Sequence, residues 1–201
     1  MCAPGSRQVT LSAGDALVVV DLQNDFLSGG SLAVPHGDEV IPALNRYLVA
    51  FARRGLPIFA TQDWHPPNHC SFQPCGGPWP PHCVQGTPGA EFAPDLELSA
   101  STILITRKGT QPEKDAYSAF DGTDLDARLR KQGVRRLFVG GLATDYCVLC
   151  TVNDGLKAGY TVILLQDAIR AVNVRPDDGA RAEVEMIRRG AIPIRWEMLA
   201  V

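Results

Sequence analysis

Apolar residues in this chain come in short dense runs separated by longer amphipathic stretches. Residues 16–21, Ala16-Leu17-Val18-Val19-Val20-Asp21, stay apolar up to a terminal acid. A run so short and so rich in valine fits a strand buried on both faces, as in a parallel sheet. Comparable runs occupy 57–61, 102–106, 136–140 and 161–165. A sixth, 191–195, contains Pro193, which cannot donate to a ladder and so predicts an edge strand.

Between these runs the period lengthens. Ile41, Leu44, Tyr47, Leu48 and Phe51 make a helical stripe over 38–54, closed by Gly55. Leu125 and Leu129 mark one face of a short helix over 124–132. Residues 151–158 read as helix, and 177–189 as another, with Val184 and Ile187 inward and Gly190 closing it. Residues 1–15 read as a loose arm and 22–36 as a loop rich in Gly, Ser and Pro. Strand–helix alternation predicts an α/β fold, a three-layer, doubly wound sheet of six mostly parallel strands. Ligands of such sheets bind beyond the carboxyl ends of the strands.

Residues 62–94 break the pattern. They are dense in Pro, Gly, His, Cys and Trp and have no sustained period. An irregular stretch of this length in a domain points to function. With 201 residues, the chain is expected to form one domain over 1–201, with 62–94 as its irregular metal- and substrate-binding loop.

Composition narrows the classes. The net charge is −3 with signs mixed, which argues against nucleic acid or a membrane surface as partner. No apolar run approaches the ~20 residues that span a bilayer. The opening Met1-Cys2-Ala3-Pro4-Gly5-Ser6 lacks the charged and apolar regions of a signal peptide, so the expected location is the cytoplasm. The six cysteines are then expected to stay reduced. A homo-oligomer is left open.

The ends of the predicted strands carry the chemistry. The first run ends in Asp21, the second leads to Asp63-Trp64-His65, the third to Lys108 and the fourth to Cys147. Each alone has an ordinary reading: Asp21 as a cap, Lys108 as a solvated surface lysine, Cys147 as a small buried hydrophobe. Together, in one crevice, they make acyl-transfer machinery. Asp21 takes a thiol proton and passes it to a leaving amine. Lys108 favours the thiolate, as would a helix N-terminus after Cys147. The N–H groups of Ala143 and Cys147 would hold a tetrahedral oxyanion.

The loop supplies a second set. Asp63, His65, His69 and His82 are a carboxylate and imidazoles suited to Zn²⁺, Fe²⁺ or Mn²⁺. Cys70, Cys75 and Cys83 interleave with them, so a structural thiolate zinc site competes.

These segments together resemble the isochorismatase-like cysteine hydrolase family, and within it the nicotinamidases, from about residue 16 to residue 194. The resemblance rests on Val20-Asp21-Leu22-Gln23-Asn24-Asp25-Phe26, Asp63-Trp64-His65-Pro66-Pro67-Asn68-His69 and Gly77-Pro78-Trp79-Pro80-Pro81-His82-Cys83-Val84. It rests also on Lys108-Gly109, Ala116-Tyr117-Ser118 and Gly141-Leu142-Ala143-Thr144-Asp145-Tyr146-Cys147-Val148. It implies Asp21, Lys108 and Cys147 as the triad, and Asp63, His65 and His82 as ligands of one divalent ion, zinc first. His69 is implied either as an occasional ligand or as a residue behind the ligands. A cis peptide between Leu142 and Ala143 is implied, and so is a ring pocket walled by Phe26, Trp79 and Tyr117. The implied reaction is hydrolysis of nicotinamide to nicotinic acid in NAD salvage, with a side activity on pyrazinamide. Cys150 departs from the pattern, because with Cys147 it spells Cys-x-x-Cys. Another amidase of the family and a thiol–disulfide protein using Cys147 and Cys150 are the rival readings, and a structural zinc-binding interaction module is a third.

Overall fold

The computed structural model describes residues 8–98 and 103–200. Six strands form one parallel sheet: β2 (Asp15–Val20), β3 (Ile58–Asp63), β4 (Ile103–Lys108), β5 (Arg136–Leu142), β6 (Thr161–Arg170) and β7 (Ile192–Ile194), in the order β4-β3-β2-β5-β6-β7. Every pairing in it is parallel. β7, with Pro193, is an edge strand as predicted. β1 (Val9–Thr10) pairs in parallel with β8 (Leu199–Ala200), so the part of the expected loose arm from Gln8 onward is ordered by a two-stranded ladder. The rest of that arm, and Thr102 at the head of the third apolar run, lie outside the described residues.

Alternation along β2 explains the layers. Leu17 and Val19 pack in one core with α1 (Val40–Arg53), while Ala16, Val18 and Val20 pack in the other with α2 (Leu125–Lys131), α3 (Leu149–Lys157) and α4 (Asp178–Arg188). The stripe predicted for α1 is buried in full, and its Phe51 meets Phe138 of β5 edge-on at 5.2 Å. Leu125 and Leu129 of α2 are likewise fully buried.

Two expectations fail. α4 turns Gly179, Ala182 and Met186 inward, and leaves Val184 66% and Ile187 39% exposed. Close packing of Gly179 on Ala171 brings the small residues of the helix to the sheet. The helix after β5 also starts earlier than residue 151: a π-helical turn, Thr144–Val148, runs straight into α3.

Strand order reverses between β2 and β5, since β3 and β4 lie to one side of them and β6 and β7 to the other. The crevice of a doubly wound sheet opens at such a point. Here it lies between Asp21 and the turn that bears Cys147.

Candidate active site

Asp21 leaves β2 with φ +48, a left-handed conformation that aspartate tolerates better than most residues. Its Oδ1 accepts the hydroxyl of Thr61 on β3 at 2.6 Å. Its Oδ2 lies 2.9 Å from Lys108 Nζ yet accepts no well-aligned hydrogen bond, which leaves a buried acceptor free. Lys108, the last residue of β4, also donates to Asp63 Oδ1 and to Cys147 Sγ, the latter at 3.3 Å. The structure thus gathers Asp21, Lys108, Asp63 and Cys147 around one ammonium, all of them buried.

Burial sets the protonation states. It raises the Asp21 carboxyl above its usual range, against Lys108, which pulls the other way. Burial also pushes on Asp63, but Lys108 and His65 outweigh it and hold that carboxyl well below the ordinary value. Two carboxylates around Lys108 keep it firmly protonated despite its burial. Cys147 is pushed well up by burial, with Lys108 opposing and both carboxylates adding to the rise. Burial thus favours the thiol, against the pull toward thiolate of the lysine. Cys147 lies inside the π turn, ahead of α3, in an environment where desolvation of a sulfur anion outweighs the lysine.

The backbone around the sulfur is specific. The Leu142–Ala143 peptide is cis, as the resemblance implied. The Ala143 carbonyl accepts from Tyr146 and Val148, while the Ala143 N–H finds no acceptor among the described residues.

Beside this cluster, ligand-type atoms of Asp63, His65 and His82 lie within 4.8 Å of one another. His65 Nδ1 lies 2.9 Å from the Gly109 carbonyl and His82 Nδ1 lies 2.8 Å from the Pro80 carbonyl. Each ring must carry its proton on Nδ1 to make that bond, so each offers the Nε2 lone pair. Gly109, at φ +60, is required here, because a side chain would run into the His65 ring. One carboxylate and two such imidazoles suit a divalent ion of the zinc type. The surplus of buried carboxylate over ammonium suits a cation as well.

His69 does not join this group. Its Nδ1 accepts from Ser71, its Nε2 lies 3.1 Å from the Lys114 carbonyl, and its ring stacks on His65 at 4.1 Å. Cys70, Cys75 and Cys83 form no ligand group among the described residues. All are free thiols, Cys75 exposed and Cys83 buried. Cys147 and Cys150 are free thiols too.

A narrow cleft of about 30 Å³ opens onto the sulfur, lined among others by Phe26, Trp79, Tyr117, Tyr146 and Val172, and by Asp63 and His82. Trp79 donates its indole N–H to the Tyr117 hydroxyl at 2.9 Å and meets Tyr146 edge-on at 5.0 Å. Sequence reasoning missed Tyr146, although it stands next to the nucleophile. It missed Gln23 as well, whose amide bonds the Asp63 N–H at 2.8 Å and carbonyl at 2.7 Å and so clamps the ligand from behind. It also missed Asp25, which accepts the Cys83 N–H at 2.7 Å and so steadies the backbone next to His82.

Residues 15–198 match the isochorismatase domain, and the chain belongs to that family. Among curated relatives, a nicotinamidase of Escherichia coli is 44% identical, the match covering 88% of this chain and 92% of that one. Among solved structures, the pyrazinamidase of Pyrococcus horikoshii in complex with zinc is 50% identical with a TM-score of 0.86, covering 91% of this chain and 99% of that one. A protein of L. infantum in complex with nicotinate is 39% identical with a TM-score of 0.87, covering 96% and 98%.

Proposed function

We infer that this protein is an amidohydrolase that converts nicotinamide to nicotinic acid and ammonia through a thioester on Cys147. The observation that carries the reading is the single ammonium of Lys108 touching Asp21, Cys147 and the ligand-type Asp63 at once. Relatives named as nicotinamidase and pyrazinamidase, one with zinc and another with nicotinate bound, support the substrate class.

The steps follow from the resting states. The free Oδ2 of Asp21 takes the Cys147 proton as the sulfur attacks the carboxamide carbon. The N–H groups of Ala143 and Cys147 receive the oxyanion. As the intermediate collapses, the C–N bond breaks and Asp21 protonates the departing ammonia. Water then gives a proton to Asp21 and adds to the thioester, the C–S bond breaks, and the thiol recovers its proton. Lys108 keeps its charge throughout and steadies whichever neighbour is anionic. The aromatic side chains of the cleft match the flat, neutral faces of the pyridine ring. A divalent ion held by Asp63, His65 and His82, zinc first, would offset buried negative charge and offer the ring nitrogen a Lewis-acid position.

Pyrazinamide, with the same carboxamide on a similar ring, is a second substrate on this reading, and nicotinic acid is returned to NAD synthesis in the cytoplasm. No helix among the described residues is long and apolar enough to cross a membrane. An ammonia-release assay on nicotinamide, with and without chelator, tests the proposal. Turnover that falls on chelation and returns with added zinc, iron or manganese is expected; no ammonia from the metal-loaded enzyme would end it.

A further inference from the structure

Asp145 stands between Ala143 and Cys147, and its side chain takes no part in the steps above. Its Oδ1 accepts the N–H of Val172 and its Oδ2 that of Asn173, both at 2.9 Å. Val172 lines the same cleft as Ala143 and Cys147. It belongs to the connection between β6, which ends at Arg170, and α4, which begins at Asp178, a stretch with no helix or strand of its own.

Of the bonds that hold that connection, those at three points matter here. Arg170 Nη2 donates to Glu39 at 2.8 Å, at the start of the connection. Asn173, at φ +54, accepts the Gly179 N–H of α4 on its Oδ1 at 2.8 Å. The middle tie is Asp145, and it alone comes from the turn that carries the nucleophile. Two charge-assisted bonds from one carboxylate to successive amides fix direction as well as distance.

We propose that Asp145 is a positioning residue for substrate selectivity: by gripping the Val172 and Asn173 amides it sets how far the Val172 wall stands from the Cys147 sulfur, and so which ring-substituted aromatic carboxamides fit. The proposal rests on the nicotinamide reading and deepens it. Asp145 touches neither Asp21 nor Lys108 among the hydrogen bonds of the site, so its loss frees the wall and leaves the reacting groups in place.

The test compares wild type, Asp145→Ala, Asp145→Asn and Val172→Ala, each as the full metal-loaded chain. For nicotinamide and its ring-methylated analogues, the ratio of kcat/KM values should rise about tenfold in favour of at least one analogue in Asp145→Ala. Val172→Ala should favour the same analogue, and Asp145→Asn, which keeps one acceptor oxygen, should fall between. In parallel, Cys147 is alkylated with iodoacetamide and with N-phenyliodoacetamide, and its peptide is read by mass spectrometry. The bulky reagent should gain on the small one in Asp145→Ala and Val172→Ala. Ratios that stay at the wild-type value while all rates and Tm fall together would overturn the proposal, because a merely structural role gives that result. Wild type that releases no ammonia from nicotinamide would sink the functional reading instead, and the alkylation ratio would still decide the claim about the wall.

Discussion

The two halves of the site are built by different means. Asp21, Lys108 and Cys147 come from the ends of strands of one sheet or the turn after one, where parallel ladders have already set the backbone. His65, His82 and Trp79 come from a long irregular loop, where position depends on side chains holding backbone. Asp25 holds Cys83, Gln85 Nε2 donates to the Trp64 carbonyl at 2.8 Å, and Gln23 clamps Asp63 at the end of β3, where the loop begins. A ladder tolerates the loss of one side chain. A loop held by single polar residues does not, so damage to the two halves should look different.

Damage should be greatest at Lys108, the point the halves share. Replacing Lys108 with Met leaves the buried Asp21 and Asp63 facing each other without a cation, a loss expected to cost about 3–5 kcal/mol. Urea unfolding of Lys108→Met should show it, together with loss of turnover. Stability equal to wild type would mean that the carboxylates do not depend on the lysine.

A smaller effect separates the halves. Gln23→Ala should lower metal affinity about 10–100-fold, because Asp63 loses the amide that orients it. The same variant should change alkylation of Cys147 far less, since Gln23 bonds only the backbone of Asp63, and Lys108 keeps its own contacts with Asp21 and Cys147. Metal titration and alkylation rates, measured on one sample, check both halves of the statement. A parallel drop in the two would deny that they are separately built.

The smallest effect is in the pH profile. Asp21 must be a carboxylate to take the thiol proton, and burial raises its pKa above 3.8. Raising pH through the elevated pKa ionises the base, so kcat/KM should rise with pH along a limb displaced above the ordinary aspartate range. Thr61→Val removes a hydrogen bond that favours the ionised form, so the limb should move to higher pH. A limb that moves down, or stays, would assign it to another group.

Much of the strand half was legible in the chain itself. Wholly apolar runs ending in Asp21 and leading to Lys108 or Cys147 announce both the parallel sheet and its active edge. The π turn was not legible, because no residue pattern distinguishes Thr144–Val148 from an ordinary helix start. The balance at the thiol was only half legible: the lysine and helix end that favour a thiolate are visible from sequence, whereas the desolvation that opposes them appears only once the crevice closes. α4 misled because its large apolar residues, Val184 and Ile187, face out, and the close approach of Gly179 to Ala171 decides which face packs. The loop half showed its ligand types but not its geometry. His69 has the same chemistry as His65 and His82, and only the bonds to Ser71 and Lys114 tell it apart.

In this chemistry the Cys147 sulfur carries the acyl group. Metal-loaded enzyme mixed with excess nicotinamide and quenched in acid within the first turnover should show that group when its peptides are read by mass spectrometry. A nicotinoyl adduct is expected on the peptide containing Cys147 and none in Cys147→Ala, which should also release no ammonia. Ammonia release by Cys147→Ala at the wild-type rate, or an adduct on a different residue, would contradict it.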